Sequence, residues 1–273
     1  MAIAVEWVVP PLDDAQLASL HAVYQANAEI KAFLPTFAPM QAFVFQGMNP
    51  FGVAGPDGSR QLDPKNLPPP QFIARNGGFD LQRFDIKGNL AWVASIRPEF
   101  VSVNCTAYDR WKNVKPQVLA ILRPFVDAAM AKGAKINAIG LQYQDAFRLL
   151  DGASPAVTRE LFRKDGKYLP THLFDQPSFW HCHQGWFSKG PDERRILNNI
   201  ATEVAEVNGM HFARIGGQHR MFATSANGPT PMPINAEGID EVLQCLHDEN
   251  IDLINGVLSD GALKAIGCTV GGT

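Results

Sequence analysis

Charge of one sign is what this chain most plainly lacks. Lys and Arg number 24 against 27 Asp and Glu, a formal net charge of -3. Nucleic acid and anionic membranes are held through clustered Lys and Arg, and so mild a balance supplies no such field, although a net value hides local patches. Long apolar runs are also missing: no stretch approaches the roughly 20 residues that span a bilayer. The opening residues, Met1-Ala2-Ile3-Ala4-Val5-Glu6-Trp7, lack the basic and then apolar regions of a secretory signal. Cysteine is scarce. Cys105, Cys182, Cys245 and Cys268 are far apart with no C-x-x-C, which excludes a disulfide scaffold and makes a reducing cytoplasm the expected compartment. Each reads as a small buried apolar residue before it reads as a reactive thiol. G-x-S-x-G, Walker and G-x-G-x-x-G patterns are absent too, and Gly216-Gly217 reads as a bulge or turn.

What is present is ample core material, 46% hydrophobic in 273 residues, enough for one large domain or two small ones. Asp13 and Asp14 open a helix over 12–34, with Leu17, Leu20, Val23 and Tyr24 at helical spacing and Pro35 stopping it. Residues 41–48 have strand character, and 49–70 form a Pro- and Gly-rich loop. From Gln71 to Ala107 the pattern is a meander, with turns at Asn76-Gly77-Gly78 and Gly88-Asn89. A two-residue turn at Gly88-Asn89 pairs Phe84 with Val93 and sets Asp80 opposite Arg97. Residues 113–132 give the clearest helix, its stripe being Val114, Val118, Ile121, Leu122, Phe125 and Ala129, with Gly133 as its stop. A strand over 136–148 follows.

The second half repeats this rhythm. A strand over 178–188 leads to a second ending at Val207, where Asn208-Gly209 is the strongest hairpin signal in the chain. A type I′ turn there pairs Val207 with Met210, Ala205 with Phe212 and Glu203 with Arg214. The competing reading makes 193–207 a helix carrying Ile196, Ile200, Val204 and Val207. A helix or broken pair over 236–265 places Ile239, Val242, Leu243 and Leu246 inward. The expected fold is α+β: two antiparallel sheet units, each backed by a helix, a pseudo-duplication with a distantly SecB-like layout. The expected halves are 1–150 and 151–273, packed as one body.

Phe179 and the strand behind it, Trp180-His181-Cys182-His183-Gln184-Gly185-Trp186-Phe187, are the richest chemistry. Strand alternation puts Phe179, His181, His183 and Phe187 on one face, and Trp180, Cys182, Gln184 and Trp186 on the other. As a partner surface it offers Trp180, His181, His183, Trp186 and Phe187, since aromatics bury large areas at small entropic cost. As a metal site it offers His181 and His183, imidazoles suited to zinc or iron, with further ligands needed from elsewhere; His211, His219, Glu203 and Asp145 are candidates. A third reading takes Arg83, Arg97, Arg110, Lys112, Lys115 and Arg148, with Tyr108, Trp111 and Tyr143, as a single-stranded nucleic-acid surface. The expected function is non-enzymatic engagement of a protein or peptide partner without a cofactor, homo-oligomerisation being compatible. A metal-dependent enzyme and a nucleic-acid binder are the alternatives.

Three passages carry a family likeness: Phe100-Val101-Ser102-Val103-Asn104 with Tyr108 and Trp111; Ile139 to Phe147, containing Tyr143-Gln144-Asp145; and Leu246-His247-Asp248 through Ile266-Gly267. Together they resemble a sporadically distributed, functionally uncharacterised bacterial family with a Tyr-x-Asp strand and a Leu-His C-terminal helix. The resemblance spans about residues 40–267 and departs in the N-terminal helix, in Cys105 and in the histidine-rich strand. It implies a place in mobile defence or toxin–antitoxin operons and assigns no catalytic residue.

Overall fold

The computed structural model describes residues 1–8, 10–46, 71–150, 152–225, 234–235 and 238–267. The expected loop 49–70 and the tail with Cys268, Gly271 and Gly272 lie outside these residues. Strand β1 (Ala2–Trp7) leads into helices α1 (Asp14–Ala26) and α2 (Ala28–Phe33). Strands β2 (Thr36–Gln46), β3 (Gln71–Phe84), β4 (Leu90–Ile96) and β5 (Phe100–Cys105) precede helix α3 (Trp111–Ala131). Then come β6 (Ile136–Arg148), α4 (Pro155–Leu161), β7 (Trp180–Lys189), β8 (Arg194–Val207), β9 (Met210–Ser225), α5 (Ile239–Val257) and α6 (Asp260–Ala265). The class is α+β.

The nine strands of the described residues join one antiparallel sheet in the order β2-β3-β4-β5-β1-β6-β9-β8-β7. The two sheet units expected from the sequence therefore share one sheet, because β6 pairs with β1 on one side and β9 on the other.

Alternation decides which face is covered. Ile3 and Val5 of β1, Val101 and Val103 of β5, and Ile139 and Leu141 of β6 point to one side and are buried under α1, α3 and α5. A second apolar cluster continues on that side, where Trp180, Ile200, Val204 and Ile215 meet Phe162, Phe174, Leu253 and Val257. The predicted stripes of α3 and α5 are all buried here. Every sheet side chain in the two clusters points the same way. The opposite side presents Ala4, Ser102, Asn104, Gln142, Gln144 and Gln218, partly or fully exposed. We call it the open face.

Several local expectations change form. Asn27 splits the first helix: it closes α1, and its side chain caps α2 by accepting from the Ile30 N–H at 3.0 Å. Asn76-Gly77-Gly78 is a bulge inside β3 and not a turn. Gly78 has φ +89°, and a Cβ there would stand 1.9 Å from the Ile96 carbonyl oxygen, so only glycine fits. The β3–β4 turn is longer than two residues, because the Asp85 carboxylate accepts from the Lys87 and Asn89 N–H groups and holds the loop open. The register thus slips: Gln82, not Phe84, faces Val93. Asp80 faces Ser95 yet still bonds Arg97 diagonally at 2.6 Å. The Asn208-Gly209 hairpin forms as expected, with φ +52° and +74° at its two central residues and Glu203–Arg214 bonded at 2.9 Å. Residues 194–207 are strand, which removes the helical alternative.

Candidate functional site

The β7 sequence alternates as expected, and that divides the residues singled out in it. His181, His183 and Phe187 stand exposed on the open face, Phe187 at 59%. Trp180 is on the covered face, 8% exposed and edge-on to Phe162 at 5.4 Å. Trp186 shares that side, half-buried against Tyr168 at 5.2 Å. The five residues proposed as one partner surface are thus on two faces, and Trp180 belongs to the core.

Cross-strand register assembles what the sequence kept apart. One row runs Gly185, Asn199, Gln218, Gln142, Ala2, Asn104, Val93, Gln82 and Thr36 across all nine strands. Five of these are primary amides, which both donate and accept hydrogen bonds. Beside it runs His183, Ala201, Gly216 and Gln144. On the other side Phe187, Leu197, Arg220, Gly140, Ala4 and Ser102 follow. The small residues Gly185, Ala201, Gly216, Gly140 and Ala4 leave depressions between the longer side chains. A hollow of about 470 Å³ lies over β7, β8, β9 and β6, and one of about 310 Å³ over β9, β6, β1 and β5. Gln142 and Gln218 line both, so the two form one trough crossing the strands.

The charge around the trough is mostly paired. Arg220 bonds Glu6, and Arg214 bonds Glu203. Arg195 stands over Phe187 at 5.2 Å and Phe222 at 4.9 Å, a cation between two rings. His181 and His183 have ring centroids 6.0 Å apart, and Cys182 faces away. Among the described residues no three His, Cys, Asp or Glu side chains gather as a metal would require. The residues considered for nucleic acid are scattered: Arg97 bonds Asp80, Lys115 bonds Asp240 at 2.7 Å, and Arg83 lies over Phe33.

Behind the trough, on the covered side, is a polar cluster that the sequence did not reveal. His219 is fully buried, with Nδ1 2.8 Å from Asn198 Oδ1 and Nε2 3.3 Å from Asn250 Oδ1. Asn198 donates onward to Ser188 Oγ at 2.8 Å. Burial drives the His219 pKa down to about 4, so the ring is neutral and carries a proton on one nitrogen only. Gly217 makes room for this: a Cβ there would stand 2.4 Å from Asn250 Oδ1.

The three family-like passages converge in space. Tyr143 Oη bonds His247 Nδ1 at 2.9 Å, Trp111 stacks on His247 at 4.5 Å, and Tyr108 meets Tyr143 edge-on at 5.4 Å. Trp111 Nε1 and Lys115 both donate to Gln244 Oε1. Burial raises the Tyr143 pKa and lowers that of His247, so both are neutral and the phenol donates. The cluster clasps α3 to α5 and β6. Its geometry is that of a structural brace.

No family model matches the chain, and no curated protein matches it. Among solved structures, the chain is similar to a crystal structure of the di-domain ARO/CYC StfQ from the steffimycin biosynthetic pathway, at 9% identity over 98% of this chain and 99% of that one. The TM-score is 0.18, too slight a likeness to bear on fold or function.

Proposed function

We propose that this chain is a binding protein that lays a peptide, or an extended segment of a protein partner, into the trough of the open face. The observation that carries the reading is the amide row over a small-residue floor. A peptide backbone alternates N–H and C=O, and Asn199, Gln218 and Gln142 answer both kinds of group from adjacent strands. His183 and Phe187 then serve as contacts at the β7 end, a narrower set than the strand first suggested. Two of the three arginines beside the trough, Arg220 and Arg214, are already paired with Glu6 and Glu203, which favours a peptide over a polyanion.

The test uses glycine positions that tolerate a side chain. A Cβ at Gly216 meets nothing nearer than 3.7 Å, and one at Gly140 nothing nearer than 3.8 Å. Gly216→Leu and Gly140→Leu therefore fill the trough without strain. Peptides selected from a random display library on the wild-type chain lose at least about tenfold in affinity to both variants. Equal affinity for wild type and variants would remove the reading. Steeply salt-dependent capture of an oligonucleotide, with no peptide selected, would replace it with the nucleic-acid alternative.

We also infer that the sheet descends from a duplicated unit, with its boundary before β6 and not at residue 150 as expected from the sequence, each half a strand, a helical connection, a strand meander and a closing helix. Two features support this. In each half the first strand lies beside the last, β1 by β5 and β6 by β9. The two first strands meet antiparallel at the junction, as a two-fold axis would generate. The spatial convergence of Trp111, Tyr143 and His247 supports membership of the sporadically distributed bacterial family.

A further inference from the structure

Among the described residues strand β7 ends the sheet, with β8 on one side only. Among the described residues no backbone hydrogen bond joins β7 to any strand or loop beyond β8. Bare N–H and C=O groups on an edge recruit another strand, so folded proteins guard edges with a charge, a proline or a bulge. The opposite edge has such a guard: β2 carries Pro39 and a register shift between Pro39 and Gln41. β7 does not. From Trp180 to Ser188 it holds no proline and no Asp, Glu, Lys or Arg, and its pairing with β8 runs without a shift.

The order of residues on this edge suits one particular occupant. Phe179 and Trp180 lead in, Trp186 and Phe187 lead out, and His183 sits midway between the two aromatic pairs. Two antiparallel strands related by a two-fold axis oppose residue i to j and j to i. An axis at His183 sets Phe179 against Phe187 of the partner subunit, and Trp180 against Trp186 of the partner subunit. The tryptophans lie on the covered face; Phe187 stands on the open face, 59% exposed, and Phe179, just before β7, is 47% exposed and edge-on to His211 at 5.3 Å. Aromatic cross-strand pairs stabilise, and the uncharged stretch Trp180 to Ser188 meets no like charge in its own copy.

We propose that β7 is a homodimer edge, along which two copies pair antiparallel about His183 and join their nine-stranded sheets into one. The pairing lies in the plane of the sheet and leaves the trough floor uncovered; it shares His183 and Phe187 with the peptide reading, and its test reads mass and cross-linking without peptide. The test is sedimentation velocity on the full chain over about 1–100 μM, where mass action would reveal a dimer. The expected particle has twice the 29.9 kDa mass of the chain. The double variant Phe179→Lys with Phe187→Lys sets lysines opposite lysines and weakens that dimer at least about tenfold, with its far-UV spectrum unchanged because both sites are exposed. Oxidised His183→Cys gives a covalent dimer on a non-reducing gel, since residues opposite each other across an antiparallel pair are roughly 4.5–5.5 Å apart at Cα, within disulfide reach. Asn199→Cys, one strand further in, does not. A monomer across the whole range, a dimer that the double variant leaves intact, or a cross-link at Asn199 in place of His183 would each overturn the proposal.

Discussion

Acidification should destabilise this fold through one buried ring, and the size of the effect follows from the structure. His219 is shut between β8, β9 and α5, where desolvation penalises its charged form and only the Asn250 hydrogen bond opposes that penalty. Its pKa is about 4 in the folded chain, against roughly 6.5 when unfolded. The folded value is depressed, so the native state binds fewer protons than the unfolded one between these two pH values. Stability from this group is therefore complete above about pH 6.5 and is lost as pH falls towards 4. At 1.36 kcal/mol per pH unit, the loss between pH 7.5 and 4.5 is about 2–3 kcal/mol. Urea unfolding at a series of pH values measures it. His219→Gln keeps a hydrogen-bonding side chain without the titration, so wild type should lose about 2–3 kcal/mol more than the variant over that interval. Carboxylates common to both proteins cancel in the difference. A gap between the two proteins that stays constant from pH 7.5 to 4.5 would refute the buried neutral ring.

Two further substitutions probe elements on either side of the sheet. Gly209→Ala forces a Cβ into φ +74° at the hairpin tip and should cost about 1 kcal/mol in thermal unfolding, leaving peptide binding unchanged. Tyr143→Phe removes the donor to His247 and should cost about 1–2 kcal/mol. Faster amide exchange at the α3 N-terminus and along α5 would locate that loss in the brace, and exchange changes confined to the open-face strands would contradict it.

The elements were largely legible because each rests on a local rule. The α3 stripe, the β7 alternation and the Asn208-Gly209 turn are set by spacing and by φ preference, and the structure has all three. The β3–β4 turn misled because Gly88-Asn89 suits a two-residue loop, while the Asp85 carboxylate, bonding forward along the chain, stabilises a longer one. A single sheet was hidden because the β1–β6 and β6–β9 pairings join distant residues, which periodicity does not report. The amide row was hidden for the same reason. Gln142 and Gln218 are ordinary strand residues until the register sets them side by side. His219 left no signal either, since its partners Asn198 and Asn250 come from another strand and a helix. The face of β7 was read correctly, yet its tryptophans were grouped with its histidines although alternation already divided them.

The trough itself is tested most directly by watching its amides. Side-chain NH₂ resonances of Asn199, Gln218 and Gln142 can be assigned by single substitution and followed while a selected peptide is titrated in. Bound peptide should shift all three in step with saturation and leave the Gln244 side chain, on the helical side, where it was. Saturation with those three signals unmoved, and changes confined to residues of α3 and α5, would mean that the partner binds somewhere else.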